Sequence, residues 1–132
     1  MSTVFVCEGN SGASPLAEAL AKHLYPRAEV WSAGVAPSHV RPEVRAVLAE
    51  RGIPTVGLRA KSVHAVPMEE VSLVVRIGLG VEGLRVPPQA RVIDWKLPDP
   101  ACYPPEERLE AYRATADELE RRIRALPVED LR

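Results

Sequence analysis

Hydrophobic positions fall into short unbroken runs and longer spaced stripes, in alternation along the chain. Thr3 to Cys7 reads Thr-Val-Phe-Val-Cys, a β-rich run that stops at a glycine-containing loop. Pro15 to Leu24 predicts a helix, with Ser14 placed to cap it and Pro15 suited to its first position. Glu29 to Ala33 predicts a second strand closed by Gly34. Pro42 to Arg51 predicts a second helix, with Val40, Val44, Val47 and Leu48 on one face and Gly52 as its stop. Val71 to Ile77 is apolar except for Ser72 and Arg76, and Gly78 follows it. Ala90 to Asp94 predicts a fourth, shorter strand. Leu109, Tyr112, Ala116, Leu119, Ile123 and Leu126 then form a stripe on a long C-terminal helix. Asp117 with Arg121, Glu118 with Arg122 and Glu120 with Arg124 are placed as i,i+4 pairs on its wet side. The stripe reads as a face packed on a sheet, because too few heptads are present for a coiled coil.

Apolar strands separated by helices predict a parallel sheet covered on both faces. In such folds ligands bind beyond the C-terminal ends of the strands. Cys7, Gly78 and the segment after Asp94 all fall at such ends, so chemistry is expected there.

Composition narrows the class. The 132 residues carry 17 basic and 18 acidic side chains, a formal net charge of −1. That length predicts one domain, residues 1–132, burying roughly two-thirds of its unfolded surface. The balanced charge argues against a broadly cationic binder of nucleic acid or membrane. No stretch approaches the length of a membrane span, and the N-terminal apolar run reads as a strand rather than a signal peptide. Two cysteines, Cys7 and Cys102, are too few for a disulfide scaffold, and a cytoplasmic protein is expected.

The informative stretch is Cys7-Glu8-Gly9-Asn10-Ser11-Gly12-Ala13-Ser14, where a strand ends and a helix begins. Successive backbone N–H groups there can turn inward, and the helix dipole adds positive potential, which makes an anion cradle. The same N–H groups favour a thiolate at the mouth, so Cys7 is the expected nucleophile. The Ser14 hydroxyl can donate to that sulfur, cap the helix, or do both in turn.

This stretch resembles the phosphate loop of the low-molecular-weight protein tyrosine phosphatases and the related arsenate reductases, Cys-x-Gly-Asn-x-Cys-Arg-Ser. Cys7, Gly9, Asn10 and Ser14 match it. Trp31-Ser32-Ala33-Gly34 resembles the Ser-Ala-Gly that follows the second strand of that family. Gly57-Leu58-Arg59-Ala60-Lys61-Ser62 resembles Gly-His-Arg-Ser-Lys-Ser of the arsenate-reductase branch. Asp94-Trp95-Lys96-Leu97-Pro98-Asp99-Pro100 resembles its His-Trp-x-x-Pro-Asp-Pro. The resemblance spans nearly the whole chain. It implies an α/β three-layer fold around a four-stranded parallel sheet of order 2-1-3-4. Cys7 is then the nucleophile, Asp99 the general acid, and the loop from Glu8 to Ser14 the substrate-binding cradle. The ligand implied is phosphate, arsenate or a similar oxyanion, or a phosphorylated molecule. No cofactor and no metal are implied. In some arsenate reductases residues matching Asn10, Ser32 and Glu18 hold a monovalent cation, but Lys61 here stands where a further carboxylate ligand is often found.

Three departures change the picture. The loop arginine of the family is Ala13, a loss expected to cost roughly 10³–10⁵ in rate by analogy with other phosphoryl-transfer arginines. Glu8 places a carboxylate beside an anion cradle. The further cysteines of the arsenate-reductase relay correspond to Gly12 and Gly78, and Gly83-Leu84-Arg85 offers no thiol. Arg76, two residues before Gly78, is a candidate to replace the missing guanidinium; the alternative is structural pairing at the sheet edge. Cys102, three residues after Asp99, is either a displaced resolving thiol or an incidental loop cysteine. His23, His39 and His64 lack ligand spacing, Trp31 and Trp95 read as packing residues, Tyr103 is a candidate for the site rim, and Arg41, Arg45 and Arg51 read as a solvated face.

Three functions remain open at this point. One is oxyanion ester hydrolysis through Cys7 and Asp99, weak or altered without the arginine. Another is a catalytically inactive oxyanion-binding pseudophosphatase. The third is a thiol redox protein using Cys7 and Cys102. The sequence sets no oligomeric state.

Overall fold

The computed structural model describes residues 2–127 and residue 131. Four parallel strands, β1 (Ser2–Cys7), β2 (Glu29–Gly34), β3 (Val71–Ile77) and β4 (Arg91–Trp95), form one sheet in the order β2-β1-β3-β4. Three α-helices are interleaved with them: α1 (Ala13–Leu24), α2 (Pro42–Glu50) and α3 (Pro105–Arg124).

Strand alternation sorts the core into two layers. Phe5, Leu73, Val75 and Ile77 face Leu16, Leu20, Val44, Leu48, Tyr112, Leu119 and Ile123 from the three helices. Val4, Val6, Ala33, Val71 and Val74 face the other way. That second face is closed by Val63, Val66 and Met68, from a stretch with two single-turn helices, and by Val81 and Leu84 beyond β3. The predicted stripe on α3 is the buried one: Tyr112, Ala116, Leu119 and Ile123 have no exposed surface. Trp95 packs against Phe5, with ring centroids 5.9 Å apart.

Boundaries shift at several ends. β2 and β4 each run one residue further than expected, and β4 starts one residue later. α2 stops one residue early, where Gly52 adopts a left-handed φ of 71° and the chain turns away. α1 begins at Ala13, two residues early, so Ser14 lies inside the helix and does not cap it.

The expected Asp117–Arg121 pair does not form. Asp117 binds Arg51 instead, and Arg51 also reaches Glu120 at 3.3 Å. Arg121 binds Glu118 one turn back, while the Glu118–Arg122 and Glu120–Arg124 pairs form as expected. Arg51 therefore fastens α2 to α3 rather than lying on a solvated face. Arg45 likewise caps the carbonyls of Thr55 and Leu58.

Candidate functional site

β1 ends at Cys7, paired in register with Gly34, and the chain then loops through Glu8–Gly12 into α1. The loop is anchored by its carbonyls. Those of Glu8, Gly9 and Ser11 accept from the N–H groups of Ala36, Ser38 and Arg41, at 2.8, 2.9 and 2.9 Å. With its oxygens held outward in this way, the N–H groups from Gly9 to Ser14 have no acceptor among the described residues. Unpaired amides at a helix N-terminus are the physical signature of an anion cradle.

Asn10 sets the polar core of the loop. It is fully buried and adopts a left-handed φ of 47°, a conformation asparagine tolerates better than most residues. Its Oδ1 accepts from the Lys61 N–H at 2.8 Å, which fixes which way the amide faces. Its two Nδ2 hydrogens go to the hydroxyl oxygens of Ser14 at 2.9 Å and Ser32 at 3.0 Å. Ser32 passes its own hydrogen to Glu18. Ser14 lies 2.8 Å from the Cys7 sulfur. Because Ser14 already accepts from Asn10, its hydrogen is free for the sulfur, and a donated hydrogen bond stabilises the thiolate.

Glu18 closes the network at its far end. Burial pushes its carboxyl up, but the Lys22 and Ser32 hydrogen bonds and the charge of Lys61 outweigh that, and the net effect is a value below the usual carboxylate range. Lys22 Nζ lies 2.5 Å from Oε2 and Lys61 Nζ 3.3 Å from Oε1. Two ammonium groups therefore already neutralise this carboxylate, and a further cation does not fit its donor set.

Glycines hold the loop close to its neighbours. A side chain at Gly34 would place Cβ 2.8 Å from the Asn10 nitrogen and 2.9 Å from the Glu8 oxygen, both main-chain atoms. Gly78, at φ 79°, occupies a backbone state that disfavours a cysteine on steric grounds alone. Glu8 is exposed, and its carboxylate lies over Gly80, where a Cβ would come within 2.5 Å of Oε2.

Asp99 lies beyond β4, exposed, at the start of the single-turn helix Pro100–Cys102. Its Oδ1 accepts from the Ala101 N–H at 2.9 Å, which holds the carboxylate in a tight turn between two prolines. Cys102 is an exposed free thiol and Cys7 a half-buried one.

Arg76 does not replace the guanidinium missing at Ala13. It forms a two-pronged pair with Asp94 on the neighbouring strand, Nε to Oδ1 at 2.7 Å and Nη2 to Oδ2 at 2.9 Å. The strand register that places Arg76 opposite Asp94 explains the preference.

Sequence reasoning missed Tyr112. As one member of an apolar stripe it carried no signal of its own. In the fold its hydroxyl lies 2.9 Å from where a Gly12 side chain would begin, and it has no hydrogen-bond partner among the described residues. Arg41, read as solvated, donates its main-chain N–H to the loop and keeps its Nε buried. A cavity of about 550 Å³ lies elsewhere, among Lys22, His23, Pro54, Val56 and Leu58. It meets the polar network at Glu18 and Lys22, and Cys7 is not among its lining residues.

Comparison with known proteins agrees with this geometry. The family model described as low molecular weight phosphotyrosine protein phosphatase matches residues 2–83. A low molecular weight protein tyrosine phosphatase from T. tengcongensis superposes with a TM-score of 0.82 at 27% identity, covering 99% of both chains. An arsenate reductase from Archaeoglobus fulgidus superposes with a TM-score of 0.80 at 28% identity, covering 95% of this chain and 98% of that one. An arsenate reductase solved in its phosphate-binding state gives 0.79 at 27% identity, with both chains fully covered. No curated protein matches the chain significantly.

Proposed function

Because the chain belongs to the low molecular weight phosphotyrosine protein phosphatase family, we propose that it takes phosphate or a similar oxyanion ester into the Cys7–Ser14 loop and cleaves it slowly. The observation that carries this reading is the relay from Asn10 through Ser14 to the Cys7 sulfur, set among loop amides that have no acceptor of their own.

In this reading the Cys7 thiolate attacks phosphorus. The sulfur–phosphorus bond forms as the bond to the leaving oxygen breaks, and Asp99 gives that oxygen its proton. Water then attacks the thiophosphate with the Asp99 carboxylate accepting its proton, and phosphate and the Cys7 thiolate are released. Ser14 steadies the sulfur as anion when it leaves, and the amides of Gly9 to Ser14 bind the equatorial oxygens. Ala13 supplies no bidentate clamp, so the transition state lacks a contact worth about 4–7 kcal/mol in comparable sites.

Hydrolysis of para-nitrophenyl phosphate by the wild type, by Cys7→Ser and by Ala13→Arg tests the proposal. The expected order is a low rate, none, and a gain of several orders of magnitude. Absence of turnover in both the wild type and Ala13→Arg overturns hydrolysis.

A second reading, ligand binding without turnover, is favoured by the same Ala13. It is supported if phosphate shields Cys7 from iodoacetamide while no variant hydrolyses the ester. A redox reading through Cys7 and Cys102 requires peroxide treatment to remove two hydrogens from the intact mass.

A further inference from the structure

Tyr112 lies on α3 with no exposed surface, and its hydroxyl has neither donor nor acceptor among the described residues. A buried hydroxyl left unpaired is costly, and native proteins seldom keep one without a use. Its position is specific. It occupies the space beside Gly12, 2.9 Å from where that residue's Cβ would be, so any side chain at this loop position would displace it.

Among the described residues three other buried side-chain atoms also lack a hydrogen-bond partner, the donors Arg41 Nε and Arg108 Nε and the acceptor Glu43 Oε1. Arg41 and Arg108 act on the phenol through their charges. The nearby carboxylates are Glu43, whose Oε1 lies 3.6 Å from Arg41 Nε, and Asp99. Burial pushes the phenol well above its ordinary value, with Arg41 and Arg108 opposing and Asp99 and Glu43 adding, so the hydroxyl stays a neutral donor at physiological pH. A buried, unpaired donor set against a loop of unpaired amides is suited to one class of ligand, an oxyanion.

We propose that the Tyr112 hydroxyl, admitted by the absence of a side chain at Gly12, donates a hydrogen bond to the oxyanion held in the Cys7–Ser14 loop. It thereby supplies one hydrogen-bond donor, without the charge, in place of the clamp that Ala13 lacks. The proposal rests on the oxyanion-binding reading above and names a ligand contact that this reading did not contain.

Phosphate affinity of the full chain, read as protection of Cys7 from iodoacetamide, provides the test in wild type and in Tyr112→Phe. Phenylalanine removes the hydroxyl and keeps the ring. Affinity is expected to fall about fivefold, the scale of one hydrogen bond. The melting temperature without phosphate is expected to hold or rise, since an unpaired polar atom has left the core. Unchanged affinity in Tyr112→Phe overturns the contact, and a lower melting temperature without phosphate overturns it in favour of a structural role. Gly12→Ala provides a second measure: it should weaken phosphate binding beside Tyr112 and do so less in the Tyr112→Phe background, whereas equal losses in both backgrounds overturn the proposal. If phosphate gives the wild type no protection at all, the oxyanion reading itself fails, a result distinct from equal protection in both proteins.

Discussion

Gly34 and Asn10 approach each other so closely that a Cβ on Gly34 would lie 2.8 Å from the Asn10 main-chain nitrogen. The end of β2 thus forms the wall against which the loop folds, and the left-handed turn at Asn10 is kept in place from behind. Backbone, unlike the tip of a flexible side chain, cannot yield to an added methyl. Gly34→Ala should therefore cost about 1–3 kcal/mol, the range for overpacking. It should also loosen the loop, visible as faster amide exchange from Gly9 to Ser11. Urea unfolding with hydrogen exchange checks both effects, and an unperturbed loop would show that the wall is not needed.

Asn10→Ala removes three hydrogen bonds, to Ser14, Ser32 and the Lys61 N–H, from a fully buried position. At about 0.5–1.5 kcal/mol each, the expected loss is about 2–4 kcal/mol. Ser14→Ala removes the donor to sulfur and one acceptor of the Asn10 amide. Its stability should change less than that of Asn10→Ala, while iodoacetamide modification of Cys7 at neutral pH slows. Equal alkylation rates in wild type and Ser14→Ala would show that the hydroxyl does not assist the sulfur.

Arg76→Ala breaks a pair at the sheet surface, where ion pairs contribute little. Stability should fall by less than about 1 kcal/mol, and phosphate protection of Cys7 should be unchanged. A clear loss of protection would return Arg76 to the cradle.

Glu18 couples the site to pH. Its carboxyl is held below the usual carboxylate range in the folded chain, so its contribution to stability is complete above its unfolded value near 4.5 and is lost as pH falls through the lower, folded one. Glu18→Gln should be less stable than wild type at pH 7, and the difference should shrink in acid. Chemical denaturation between pH 7 and pH 3 measures it, and a difference independent of pH would exclude ionisation of Glu18 as the cause.

Much of the fold was legible in residue order. Val71–Ile77 is apolar almost throughout because β3 is covered on both faces, and the α3 stripe marks its buried side. The cradle was legible because a strand end, glycines and a helix start occur in a fixed local order. What remained hidden depended on partners distant in sequence. Arg76 chose Asp94 through strand register, Arg51 chose Asp117 across two helices, and Tyr112 acquired its polar setting only when α3 was laid against Gly12. Periodicity marks a buried residue but does not identify the atoms around it.

One main-chain amide has an influence out of proportion to its size. The Lys61 N–H, fifty-one residues along the chain, decides which end of the Asn10 amide looks toward Ser14. Were that amide to rotate, carbonyl would replace amine, and the serine would turn its hydrogen away from the sulfur. Anything that tugs on the stretch before Ser62, even without touching the cradle, has a lever on the reactivity of Cys7.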